Sequence, residues 1–245
     1  MIGPFDHLLV LLIAVAWPLH SWKTYPSFVA DVESGRPGAR ARGYIETGVI
    51  EWTLLLGCAI LWIASDRSFS ALGLVWPEGW HGSIATGVTV VVCAIALWQV
   101  WRFRNPSEAQ LTQALDQMKH LKALLPHTTN ERGLSMALAF TAGICEELLF
   151  RSFLIWYFAA FLPLPAAVLV STVVFGLGHA YQGPAGAVRC GVLGLLAALL
   201  YVWSGTILLP IVLHVVVDVQ ALLIAFIANQ HAPRNGPGSP ALESA

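Results

Sequence analysis

Residues 133–158 read GLSMALAFTAGICEELLFRSFLIWYF. This run is long enough to cross a bilayer as one helix, yet it carries Glu146, Glu147 and Arg151 in its middle. The whole chain decides whether such a run is a soluble core helix or a membrane span. Of its 245 residues, 57 % are apolar and 11 % are charged. Soluble domains carry about 25 % charged residues to cover a water-facing surface, so the run reads as a membrane span. The net charge of -1 offers no footprint for nucleic acid.

Similar runs lie outward from this one, at residues 5–22, 44–63, 83–101, 165–181, 185–203 and 207–228. The first lacks the basic flank and the small-residue cleavage site of a signal peptide, so it is read as a retained span. The expected fold is all-α, a polytopic transmembrane helix bundle of about seven spans. Residues 1–125 form a three-span N-terminal region, residues 126–230 a four-span core, and residues 231–245 a tail rich in Pro, Gly and Ser that predicts disorder. With seven spans, eleven of the thirteen basic residues fall on one side, among them Lys23, Arg36, Arg40, Arg42, Arg102, Arg104, Lys122 and Arg132. The positive-inside rule then puts the N-terminus outside and the C-terminus in the cytoplasm of a cell inner membrane. Between the third and fourth runs, Leu111, Leu115, Met118, Leu121 and Leu125 recur at helical spacing up to Pro126. They predict an amphipathic helix, either lying on the membrane surface or packed over the mouth of the bundle. The four cysteines sit in apolar runs without C-x-x-C spacing and read as buried small hydrophobes, although Cys145 abuts the two glutamates.

Ionisable groups at membrane depth are costly, and they usually face an interior cavity where they act. Glu146, Glu147 and Arg151 share the fourth span; His179 ends the fifth; His214 and Asp218 lie in the seventh; Glu51 lies in the second, as a structural group or a helper. Glu147 and Arg151 are four residues apart on one helix face, in the favourable order for an ion pair. That leaves Glu146 as the free carboxylate. A buried glutamate suits general-base work near neutral pH, and His179 can share a water with it. His214 and Asp218 can stabilise an oxyanion on the other side of a scissile carbonyl. This constellation describes peptide hydrolysis by water. Glu146, His179, His214 and Asp218 are also possible zinc ligands, although no H-E-x-x-H occurs. A proton relay in a transporter is a further reading, without an inverted repeat to support it.

The segments Glu146-Glu147-Leu-Leu-Phe-Arg151, Phe175-Gly-Leu-Gly-His179 and His214-Val-Val-Val-Asp218 resemble, in order and spacing, the CPBP family of intramembrane proteases. That family includes CAAX prenyl endopeptidases and proteins linked to bacteriocin self-immunity. The resemblance implies an intramembrane glutamic endopeptidase without a cofactor, acting on a membrane-associated peptide or protein within the lipid bilayer. It implies Glu146 as the water-activating carboxylate, His179 as its assistant, and His214 with Asp218 as the oxyanion site. Glu147, Arg151 and Phe175 would be supporting residues. A non-catalytic immunity or scaffold role is the alternative. Two positions depart from the family pattern. Position 152 is Ser where Gly is frequent, and position 218 is Asp where Asn is frequent. An ionised Asp cannot donate to an oxyanion, so Asp218 either acts protonated or orients His214.

Overall fold

All seven apolar runs fold as helices in the computed structural model, which describes residues 2–231. The expected disordered tail lies almost wholly outside those residues. The helices are α1 (Pro4–Glu33), α2 (Ala39–Ala64), α3 (Gly79–Arg102), α4 (Glu108–Gln117), α5 (Thr129–Ala159), α6 (Leu164–Gly178), α7 (Pro184–Ser204) and α8 (Leu208–His231). No strand occurs among the described residues. Six of the helices are long and apolar enough to cross a membrane: α1, α2, α3, α5, α7 and α8. The chain is therefore an all-α multi-pass membrane protein.

Three expectations are corrected. First, the fifth run is a helix of only 15 residues. It reaches about 22 Å at 1.5 Å per residue, short of a hydrocarbon core of about 30 Å. Gly178 ends it, and Gly183, at φ +84°, turns the chain into Pro184 at the start of α7. Second, the first helix does not stop at Trp22 but runs on to Glu33 through Pro18 and Pro26. A wide turn at Leu12–Ala16 precedes Pro18, loosening the helix where the pyrrolidine ring cannot donate a backbone bond. Third, the amphipathic pattern from Leu111 to Leu125 is not one helix. It breaks at Met118 into α4 and a tighter segment, Lys119–Leu124. The Tyr44 hydroxyl donates to Leu124 O at 2.7 Å, and Ala123, Leu125 and Pro126 are buried. Anchoring that end to α2 outweighs continuation of the helix. α4 itself packs against α8, which favours the helix as a cover for the bundle.

Most helix faces present large apolar side chains outward. Leu56 and Ile60 on α2, Val90 and Leu97 on α3, and Leu196 on α7 are all exposed. Such faces are stable against lipid rather than water. The interior packs Trp62, Leu149, Phe153 and Leu154 around α5, all of them fully buried. At the end where α1 begins, Arg67 makes a two-pronged bond to Asp6, both contacts at 2.7 Å. Its guanidinium lies over the edge-to-face pair of Trp62 and Trp156, 5.2 and 4.7 Å from the ring centres. Arg67 is thus paired with an internal anion.

Ser152 shows how the site helix is fixed in depth. Its hydroxyl, fully buried, donates to Leu72 O at 2.7 Å and ties α5 to the loop before α3. Thr206 donates to Val75 O at 2.6 Å, and Ile207 N to Gly73 O at 2.9 Å, so the α7–α8 turn is tied to the same loop. Ser152→Ala removes one of these donors from a buried carbonyl. We expect a loss of about 1–3 kcal/mol of stability, read as a lower thermal unfolding midpoint in detergent.

Candidate active site

The start of α5 is closed by a reciprocal cap. Thr128 Oγ1 accepts from Glu131 N at 3.2 Å, and Glu131 Oε2 accepts from Thr128 N at 3.2 Å and His127 N at 2.8 Å. The helix runs regularly to Glu146 and then widens over Glu147–Leu154, where backbone bonds skip an extra residue. Glu147 and Arg151 still share a face, and Arg151 Nη1 lies 3.2 Å from Glu147 Oε1. Both are buried, Glu147 at 0 % exposure. The guanidinium stacks on the Phe175 ring, 3.7 Å from its centre. Gly194 on α7 makes room for this stack: a Cβ there would sit 2.6 Å from Arg151 Nη2 and 2.8 Å from Phe175 Cδ1.

His214 reaches the same carboxylate from α8. Its Nδ1 donates to Glu147 Oε1 at 2.7 Å. The opposite nitrogen, Nε2, faces Glu146 Oε2 at 3.8 Å and Asp218 Oδ2 at 3.6 Å, both beyond hydrogen-bond length. This corrects one alternative for Asp218: His214 is oriented by Glu147, across two helices, and not by Asp218 one turn along its own helix. His179 is fixed in a parallel way. Its Nδ1 donates to Phe175 O at 2.9 Å, and its ring rests against the Phe175 ring, centroids 4.6 Å apart. A carbonyl and a carboxylate can only accept, so the hydrogen-bond network assigns a proton to Nδ1 of both histidines. Each therefore keeps Nε2 for other work. Glu146, nearly buried at 7 % exposure, makes no hydrogen bond through its side chain among the described residues.

The short α6 explains why these groups meet. Glu146 lies 13 residues before the end of α5, and His179 directly follows the 15 residues of α6. At 1.5 Å per residue both are about 20–22 Å from the α5–α6 turn. Electrostatic neighbours agree: Asp218 feels His214, Glu146, His179 and Glu147, while Glu51 on α2 feels Glu146 and Asp218. Glu51 is almost fully buried at 1 % exposure, with Oε2 unpartnered. The predicted site residues Glu146, Glu147, Arg151, Phe175, His179, His214 and Asp218 thus form one cluster, with Glu51 beside it. Sequence reasoning missed Tyr181, whose ring stacks on His179 at 6.1 Å between centroids. The available signal was an aromatic with a polar tip two residues beyond a candidate imidazole. It also missed Gly143 and Gly194, which carry no chemistry of their own. Among the described residues, no group of three His, Cys, Asp or Glu side chains is arranged to hold a metal ion.

Gly143 sets the spacing of the two site helices. A Cβ there would meet Val215 Cγ2 at 2.4 Å and Val215 N at 3.0 Å, so α5 and α8 touch through a bare backbone. Gly143→Ala forces the helices apart beside the His214–Glu147 bond. Overpacking of this kind costs about 1–3 kcal/mol, and we expect a lowered unfolding midpoint together with reduced activity.

Residues 129–220 match the family model described as Rce1-like, type II CAAX prenyl endopeptidase. The matched segment runs from the first turn of α5 to just past Asp218 and holds every residue of the three motifs. Over these residues the chain is similar to the CAAX-protease (CPBP) family. No curated protein and no solved structure matches the chain. The matched segment lies within the second half of the fold; α1 to α4 precede it, and all four pack against its helices. The family is one of membrane endopeptidases, which accords with a carboxylate and two imidazoles gathered among membrane-spanning helices.

Proposed function

We propose that this protein is an intramembrane endopeptidase that hydrolyses a peptide bond in a membrane-associated peptide or protein, using a water activated by Glu146. One observation carries the reading. Of the two adjacent glutamates, Glu147 is committed to Arg151 and His214, while Glu146 is buried and uncommitted, 3.8 Å from His214 Nε2. A water between Glu146 and an imidazole nitrogen supplies both nucleophile and proton. Attack forms the carbon–oxygen bond as Glu146 takes the water's proton. Collapse of the tetrahedral intermediate breaks the carbon–nitrogen bond, and Glu146 returns that proton to the leaving amine. His179, with Nε2 uncommitted, assists in holding the water. His214 donates to the oxyanion as an imidazolium, and Asp218 as a protonated acid. The reaction draws on no cofactor. In this reading the protein sits in a cell inner membrane, N-terminus outside, with the basic loops in the cytoplasm.

The test is a comparison of membrane peptide products from cells carrying the native chain or Glu146→Gln, followed by cleavage of the differing peptides with purified protein. Products that require the native chain, formed equally with and without a metal chelator, are the expected result. Equal cleavage by both forms overturns the proposal, and loss of activity with the chelator replaces the water mechanism with a metal-dependent one.

A further inference from the structure

The site is well supplied with acceptors and short of donors. His179 Nδ1–H is spent on Phe175 O, and His214 Nδ1–H on Glu147. Arg151 is buried in its own stack on Phe175 and paired with Glu147. Glu146 accepts when ionised. His214 Nε2, 3.6 Å from Asp218 and 3.8 Å from Glu146, donates only as an imidazolium, and Asp218 donates only as a protonated acid. Both oxyanion donors named above therefore depend on a charge state, and a donor that stays protonated in either state completes the set.

Tyr181 is placed to be that donor. It lies in the short turn Ala180–Gln182 between α6 and α7, two residues beyond His179. Its ring stacks on His179 on one side and meets the Tyr25 ring of α1 at 4.8 Å on the other. The hydroxyl oxygen accepts from Gln182 Nε2 at 3.2 Å, and no acceptor among the described residues takes its proton. Gln182 is itself held by close packing: a Cβ on Gly186 would lie 2.5 Å from Gln182 Cβ. The phenol is within electrostatic range of Glu146. A phenol is neutral and protonated at physiological pH, so it donates whatever the charge on His214.

We propose that Tyr181 is a further catalytic residue, whose hydroxyl donates a hydrogen bond to the oxyanion formed when the Glu146-activated water attacks. The inference rests on the peptidase reading above. No proton leaves Tyr181: the carbonyl π pair moves onto oxygen, the phenol O–H bonds to it, and the pair returns when the carbon–nitrogen bond breaks. The polarised Gln182–Tyr181 pair strengthens that donation in a site of low dielectric.

Tyr181→Phe keeps the ring and its stacking and removes only the hydroxyl. With a substrate of the native chain, kcat should fall by about 10²–10³-fold, the loss typical of one oxyanion donor. KM and the thermal unfolding midpoint should stay near their native values. A second measurement does not depend on turnover: binding of phosphinic peptides, whose tetrahedral anion stands in for the intermediate. Native protein should bind them at least tenfold more tightly than Tyr181→Phe. Activity of Tyr181→Phe within threefold of native overturns the assignment, and so does unchanged phosphinate binding. A loss of activity that follows a lowered unfolding midpoint with unchanged phosphinate binding also overturns it, because Tyr181 is then only structural. If the native chain cleaves nothing, the peptidase reading fails and the catalytic role of Tyr181 falls with it, and phosphinate binding weakened by Tyr181→Phe then shows only that the phenol binds an anion.

Discussion

Glu146→Gln is expected to lower kcat by about 10²–10⁴-fold, the contribution usual for a positioned general base, without lowering the thermal unfolding midpoint. The two halves of that expectation come from the same geometry. Among the described residues the Glu146 side chain has no hydrogen-bond partner, and His214 Nε2 stands 3.8 Å from it. An isosteric amide therefore breaks nothing on which the fold depends. It also removes a carboxylate from a site that already holds Glu51, Glu147 and Asp218, so like-charge repulsion falls. What the amide cannot do is accept a proton from water and pass it to the amine. Substrate binding should survive, so KM stays close to native while turnover is lost. Near-native turnover in a folded Glu146→Gln protein would remove Glu146 from the chemistry and return the choice to Asp218 or Glu51.

The membrane helices were legible because they rest on local apolar periodicity, and the residues of the candidate cluster because few ionisable groups fall within those runs. The Glu147–Arg151 pair follows from four-residue spacing, and it survives the widened turn over Glu147–Leu154. The partner of His214 was not legible. Spacing points to Asp218, one turn along α8, yet the bond runs to Glu147 on α5 at 2.7 Å against 3.6 Å to Asp218. That choice depends on how closely α5 and α8 approach, which Gly143 sets against the Val215 backbone. The break at Met118 was equally hidden, since the apolar spacing continues through it and the cause is a bond from Tyr44, far away in sequence. The length of α6 was half-visible: the apolar run reads on to Tyr181, and only the glycines at 178 and 183 mark the stop. Tyr181 lay inside that run and so looked like another apolar span residue. In each case a helix pattern was readable and the contact between helices was not.

The double variant Glu147→Leu with Arg151→Leu should separate what holds the fold from what drives the reaction. Each single change leaves a buried charge without its counter-ion: Arg151 at 3 % exposure in one case, Glu147 at 0 % in the other. Breaking a buried pair this way costs about 3–5 kcal/mol, the largest stability loss expected for any change at the site. Removing both charges together takes away the desolvation penalty with the attraction, and a leucine at 151 meets the Phe175 ring on which the guanidinium now lies. The double variant should thus regain most of the lost unfolding midpoint, a favourable coupling measurable in a double-mutant cycle. Its activity should stay depressed by about 10–100-fold, the range seen when residues that orient a functional imidazole are removed. The reason is His214: without Glu147 Oε1 its Nδ1 has no acceptor, the ring is free to turn, and Nε2 is no longer aimed at Glu146. Recovery of activity along with stability would mean that His214 needs no orientation and that Glu147 serves the fold alone. Stability without activity would place Glu147 in the reaction through the ring it holds, two helices away from the residue that its sequence spacing suggests.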